Sequence, residues 1–298
     1  MGKDKPTISD RIAEASTEII LNPISEIVYQ HGIFCQVGLP RSAVKDKRTF
    51  ERTFKNASLR IEAGALWNGK EWIDQPVPSG PKPRLALIYI NSEAVRTKNP
   101  SIDIGDSCAE FLRRIGLREQ DGRTYGLFKK QMNALAAATF NLGFTPQLNQ
   151  ATSVYTKPIK EFTAWVADND RQVGLWPGYL KLSQDYFDSL SKHAVPLDPR
   201  ALRALAHSAL ALDIYSFLAH RLHTLDKPFV APWAELKKQF GKEYTGQHGL
   251  NDFKTEFLKM LGPVLEVYPK AKGKVVRVTG GLEFGPSDAP VSRLSFPR

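Results

Sequence analysis

Two stretches of this sequence carry basic and amide side chains at a helical spacing that suits contact with a polyanion. After Asp121-Gly122, Phe128, Met132, Leu135 and Ala138 recur at steps of four, three and three, the apolar stripe of an amphipathic helix. The other side presents Arg123, Lys129, Lys130 and Asn133 together. In a DNA major groove, lysine and arginine reach guanine or phosphate, and asparagine pairs with adenine. The same face also fits an ordinary solvated helix surface, which the residues alone favour; its position as the last helix of a three-helix unit before a wing brings the two readings level.

The second stretch, residues 249–262, makes the case more clearly. Leu250, Phe253, Phe257 and Leu261 keep a core stripe, while Asn251, Thr255 and Lys259 share the opposite face. Lys254 stands at the margin, able to extend its head outward and join them. This helix is the best single candidate for base contact. Just beyond it, Lys270, Lys272 and Lys274 of KAKGK, with Arg277, are expected on a wing that touches phosphate or the minor groove. Charge is concentrated on both units: residues 231–298 hold 11 Lys and Arg against 7 Asp and Glu, and residues 112–135 hold 6 against 2.

Other chemistries find little support. His207, His220 and His223 lie in one long apolar segment, but HRLH lacks the HExxH arrangement, so no metal site is expected. No GxxxxGK[ST] run is present to wrap a nucleotide phosphate, and no GxSxG elbow. None of the nine tyrosines has a His-x-His neighbour to place a divalent ion beside a scissile phosphate, which argues against a nickase. Tyr125, Tyr155 and Tyr215 read as packing or stacking residues. The expectation is a protein that works by binding, without catalysis, cofactor or metal.

The elements that must position these faces follow from punctuation and periodicity. Residues 8–30 read as one or two short helices broken at Pro23, and 58–72 as a β-hairpin turned at Asn68-Gly69. QPVPSGPKP, with Pro76, Pro78, Pro81 and Pro83, reads as a stiff connector and a domain boundary. Helices are then expected over 85–95, 107–115 with Asp106 as cap, and 123–140, with a short strand in SIDIG and strands over 152–168. From Tyr179 the same grammar returns: a strand at YLKLS, helices at 184–192, 198–224, 231–240 and 249–262, the last closed by Gly262-Pro263. Strands follow at 265–269, 274–279 and 282–284, with Gly273 turning the chain around the KAKGK tip. Arg200, Arg203 and Arg221 are expected at the surface.

The fold class expected is α+β, with two tandem winged-helix (winged helix-turn-helix) domains and an N-terminal helical and β-hairpin extension. The divisions are 1–80 for the extension, 81–175 and 176–286 for the two domains, and 287–298 for a flexible tail. The length of 298 residues exceeds what one core of roughly 250 residues usually serves. The net charge of +10 favours a polyanionic partner. Cys35 and Cys108, far apart and in no CxxC pair, fit a reducing cytoplasm. The N-terminus lacks an apolar secretion core, and no window approaches about 18 uninterrupted apolar residues, so no membrane association is expected.

The central run PRLALIYINSEAVRTKNPSIDIGDSCAEFLRRIGL, residues 83–117, resembles the hallmark segment of RepA-type plasmid replication initiators. The likeness continues through GRTYGLFKKQMNAL, reaches back to RTFERTF and SLRIEAG, and fades towards residue 285. The chain departs from the usual pattern in PSGPKPRL, where such proteins often have Tyr-Gly before Pro-Arg-Leu, and in the lysines of KKQMNAL, where arginine is frequent. The resemblance implies a bacterial protein associated with the plasmid and nucleoid that binds iterons, the repeated sequences of its origin, in double-stranded DNA. It further implies help in opening adjacent A·T-rich DNA, recruitment of the host initiator and replicative helicase, a homodimer, and repression of its own gene. By the same carry-over Arg123, Lys129, Lys130 and Asn133 fall in the first recognition position and Asn251, Lys254, Thr255 and Lys259 in the second, with Thr97 and Lys98 in the closest-matching motif. A winged-helix transcriptional repressor without an initiation role is the alternative.

Overall fold

The computed structural model describes residues 6–45, 47–117, 122–147, 150–162 and 178–291, with the backbone alone for 122–123, 146–147 and 150–152. The part of the expected 152–168 strands beyond residue 162, the boundary near 175, and the tail past 291 lie outside the described residues.

Helix α1 (Ile8–Leu21) begins at a capping box in which Thr7 and Asp10 satisfy each other's backbone N–H. Where a second short helix was expected after Pro23, the chain is extended as β1 (Val28–His31) before the one-turn α2 (Gly32–Gln36). Strands β2 (Thr49–Phe54) and β3 (Ala57–Glu62) form a hairpin turned by Lys55-Asn56, with Lys55 in the left-handed region at φ 50°. Residues 58–62, expected in the Asn68-Gly69 hairpin, belong to β3. That hairpin is the smaller pair β4 (Ala65–Trp67) and β5 (Trp72–Asp74), whose turn is closed by Asn68 Oδ1 accepting from the Lys70 and Glu71 amides.

Pro81 and Pro83 do not extend the connector; they open α3 (Pro81–Thr97). In a first helical turn the N–H groups have no partner within the helix, so proline costs nothing there. Then come β6 (Ser101–Asp103) and α4 (Cys108–Arg114), capped by Ser107 and not by Asp106: Ser107 Oγ accepts from the Glu110 amide at 3.1 Å. Helix α5 (Gly122–Ala137) stops short of Phe140, which enters the long strand β7 (Thr139–Gln147), paired with β8 (Gln150–Thr156). Two short strands follow, β9 (Ile159–Glu161) and β10 (Tyr179–Leu182).

The second half runs through α6 (Gln184–His193), β11 (Ala194–Leu197), α7 (Pro199–Leu205) and α8 (Ala209–Arg221). The single helix expected over 198–224 is thus two, because Ser208 caps α8 through the Ala211 amide. Helix α8 is buried along all but its last residues and forms the spine of this half. Strand β12 (Phe229–Pro232), α9 (Trp233–Phe240), α10 (Gly249–Glu266), β13 (Val275–Val278) and β14 (Gly281–Phe284) complete it. Helix α10 runs through Gly262-Pro263, since Pro263 removes one hydrogen bond while Met260, Leu261 and Val264 keep the helix buried on its apolar side. The strand expected at 265–269 is therefore the end of this helix and a 3-10 turn.

The architecture is α+β, with helices around small sheets. One order recurs: helix, strand, helix, helix, strand, strand, as α3-β6-α4-α5-β9-β10 and as α8-β12-α9-α10-β13-β14. In both, the third strand lies between the first two, giving β6-β10-β9 and β12-β14-β13. The β7–β8 hairpin interrupts the first series and joins the N-terminal hairpin in a four-stranded sheet, β2-β3-β7-β8. Strand β1 pairs with β11, so the N-terminal segment is also stitched to the middle of the chain. Residues 287–291, expected as the start of a loose tail, are fastened: Ser287 N donates to Leu222 O, Tyr268 OH to Asp288 O, and Val291 is buried. Arg200, expected at the surface, is buried against Asp198 at 2.8 Å. Among the described residues no helix is long and apolar enough to cross a membrane.

Candidate nucleic-acid interface

Helix α10 is seated by Phe253 and Phe257, which close on Trp233 and Phe240 of α9 with ring centroids 5.5–6.4 Å apart. That packing turns Asn251, Asp252, Thr255 and Lys259 to solvent and leaves Lys254 half-buried. The expected face is therefore presented, though not in its simplest form. Thr255 Oγ1 donates to Asn251 O within its own helix at 3.0 Å, and Lys259 Nζ stands 3.9 Å from Glu256. Exposed Asp252 and half-buried Glu256 lie on the same helix, which is therefore less cationic than its lysines imply.

Lys254 shares its surroundings with Arg277, which the sequence places on a wing beside this helix. It lines an open cleft with Arg277, Val278, Thr279, Gly280 and Trp233, between α10 and the turn joining β13 to β14. Lys254 and Arg277 thus line one open cleft from separate elements, an arrangement that a phosphate can occupy. The turn is Thr279-Gly280, with Gly280 at φ 83°. It is not KAKGK, because β13 starts only at Val275. Lys270 Nζ instead donates to Ala289 O at 3.0 Å, and Lys272 pairs with Glu266 at 2.8 Å. Lys274 is exposed before β13, its carbonyl accepting from Gly285 N at 2.7 Å.

Helix α5 buries Phe128, Met132 and Leu135 as expected and exposes Lys130. Leu127 is also exposed, at 48%. Lys129 is half-buried beside Cys108, whose thiol burial pushes up to about 11 against the pull of that lysine. Asn133 is half-buried, with Oδ1 enclosed and without a hydrogen-bond partner. The side chain of Arg123 lies outside the described residues. Thr97 and Lys98 end α3: the Thr97 hydroxyl donates to Glu93 O at 2.7 Å, and Lys98 takes the left-handed capping conformation at φ 52°. Lys157 and Lys160, exposed beside and within β9, were passed over, although TKPIKE shows both.

His223 Nδ1 lies 2.9 Å from Ala219 O, and burial takes His220 down to about 4. Among the described residues no group of three or more histidine, cysteine or acidic side chains is placed to hold a metal ion.

The family model described as plasmid encoded RepA protein matches residues 77–233, more than half of the chain. Among solved structures, the chain is similar to a selenomethionine form of domains 2 and 3 of RctB, at 12% identity and a TM-score of 0.49, covering 91% of this chain and 96% of that one. A second structure of RctB domains 2-3 matches at 12% identity and 0.48, covering 85% and 94%. No curated protein sequence matches.

Proposed function

Because this chain belongs to the family of plasmid-encoded RepA proteins, we propose that it is a plasmid replication initiator that grips origin DNA through two winged-helix units, with α5 and α10 as the reading helices. The observation that carries the DNA-binding part is the recurrence of one element order and one strand order, each time with a cation-bearing helix ahead of a strand pair. In such a unit the last helix enters the major groove and the strand pair flanks it. The cleft of Lys254 and Arg277 supports phosphate contact at the second unit, and exposed Lys130 and Lys160 support it at the first.

Two modest readers on one chain act at high effective concentration, so occupancy of repeated origin sequences needs no catalytic step. Opening of adjacent A·T-rich DNA then draws on binding and bending energy from several copies, and the assembled nucleoprotein recruits the host initiator and helicase. No nucleotide is hydrolysed in this scheme. Occupancy of the DNA ahead of its own gene, by a dimer, gives repression.

A footprint on the DNA flanking the gene, combined with affinities over a salt series, tests this reading. The expected result is protection of phased direct repeats, abolished at high salt and weakened by Lys254→Ala/Lys259→Ala. Protection of a lone inverted repeat would indicate a repressor without an initiation role. Absence of specific protection would sink the proposal.

A further inference from the structure

The N-terminal hairpin is attached to both reading helices. On one side, β3 pairs with β7 from Ala57↔Phe144 to Glu62↔Thr139, and Ala138 alone separates β7 from the end of α5. On the other side, β2 grips the turn between α9 and α10. Arg52 of β2, with its side chain wholly enclosed, places Nη2 2.8 Å from Glu243 Oε1. The Arg41 amide donates to the same oxygen at 3.3 Å, and the Arg41 guanidinium lies 3.6 Å from Oε2 and over the Tyr244 ring at 4.7 Å. Next to it, Lys242 Nζ donates to Glu51 O at 3.0 Å, and Gln239 Nε2 to Gln36 O at 2.8 Å.

These bonds have a common direction. Residues 239–244 form the end of α9 and the turn that aims α10, and each of the bonds ties them to residues 36–52. Burial alone would raise the Glu243 carboxyl, yet Arg52 and Arg41 hold it below its ordinary value, so the pair stays charged in the folded protein. The path from α5 through β7, β3 and β2 to the α9–α10 turn is thus sheet hydrogen bonding followed by a partly buried ion pair.

We infer that the β2–β3 hairpin is a spacer that, beside the direct contact of α3 and α8 at Arg84 and Asp213, sets the angular phase of the two readers, with Arg52, Glu243 and Arg41 as positioning residues that fix how α10 is aimed and so which half-site spacing the chain accepts. The inference rests on the DNA-reading roles of α5 and α10. Readers on a flexible tether tolerate added DNA with a slow decline in affinity. Readers on a rigid spacer do not, because each inserted base pair turns the second groove by about 35° as well as displacing it.

The test uses the full chain and the duplex protected in the footprint, with two or five base pairs inserted between the grooves read by the two units. Glu243→Ala would leave Arg52 buried without its counter-charge and would report on folding as much as on spacing. The decisive variant is Arg52→Met/Glu243→Leu, which removes both charges together, compared with wild type after cooperative melting has shown both to be folded. Spin labels at Leu127→Cys and Thr255→Cys, in a Cys108→Ser background, read the distance between the helices without DNA. Wild type should show one narrow distance and lose about tenfold in affinity on insertion; the variant should show a broad distance and lose no more than about threefold. A folded variant with the narrow distance and the tenfold loss, or a wild type with a broad distance, would overturn the inference. A narrow wild-type and a broad variant distance with no duplex bound by either would uphold the spacer and overturn the DNA reading.

Discussion

Arg84 and Asp213 meet as a two-pronged ion pair across 129 residues of sequence, with Nε to Oδ1 and Nη2 to Oδ2 both at 2.7 Å. Arg84 belongs to α3, the first helix of the first unit, and Asp213 to α8, the first helix of the second. The other guanidinium donors reach Leu39 O, Pro40 O and Gly80 O, so all five N–H directions are used in a site that water hardly enters. A charge pair this well satisfied stabilises less than its Coulomb energy implies, but breaking it from one side leaves a buried charge alone.

Asp213→Ala should therefore lower the unfolding free energy by about 3–5 kcal/mol, whereas Arg84→Met/Asp213→Leu should cost clearly less. Urea titration followed by circular dichroism gives both numbers. Equal losses in the single and double variants would mean that the pair is not the unit of stability here.

Gly38 sits against the same carboxylate. A Cβ at that position would come within 2.6 Å of Asp213 Oδ2, and the carboxylate is held by Arg84 and cannot step aside. Gly38→Ala should cost about 1–3 kcal/mol by forcing the pair apart. The same substitution placed on Arg84→Met/Asp213→Leu should cost less, since the charge it strikes is gone.

Helices α5 and α10 were legible because their signal is local: Phe128, Met132 and Leu135, or Phe253 and Phe257, repeat at the helical period within one window. The β1–β11 pair was not, since His31 faces Ala194 across most of the chain and a four-residue strand containing Pro196 has no alternation to betray it. Gly262-Pro263 misled for a related reason. Local rules stop a helix there, while Met260, Leu261 and Val264 are buried by tertiary packing that no local rule contains. KAKGK drew the expected turn to itself by charge, yet Thr279-Gly280 supplies the two-residue turn between β13 and β14. Glu243 carries no motif at all, and its role exists only because Arg41 and Arg52 fold onto it.

The cleft and the KAKGK segment make opposite forecasts for lysines and arginines close in sequence. Lys254→Ala/Arg277→Ala should reduce the slope of log affinity against log salt by about 1.8, or about 0.9 for each phosphate that the protein ceases to neutralise. Lys270→Ala/Lys272→Ala should leave the slope nearly unchanged, because those amines are engaged with Ala289 O and Glu266. Fluorescence anisotropy on the protected duplex between about 50 and 200 mM salt reads the slopes. A larger slope change in the second pair would restore the KAKGK tip as the phosphate-binding element.

His31 gives the protein a stability that should decline in acid. Its ring is buried and stacked on Tyr186 and His193, Nδ1 accepts from the Ile33 amide at 3.2 Å, and Nε2 faces Ser189 Oγ at 3.0 Å. Burial first, and the nearby His193 second, take it down to about 3. The folded state thus binds fewer protons than the unfolded state between the ordinary histidine value, about 6.5, and 3. The stabilisation is complete above about pH 6.5 and declines progressively as the pH falls through that window. His220, taken down to about 4, acts with the same sign, and Glu243 adds its loss only below the ordinary glutamate value of 4.5. His31→Asn keeps an acceptor for the Ile33 amide and removes the titration. Its unfolding free energy should start lower at pH 7 and fall less steeply to pH 5, by up to about 1.4 kcal/mol per pH unit relative to wild type. Parallel slopes in urea titrations at pH 7, 6 and 5 would show that His31 is not the group responsible.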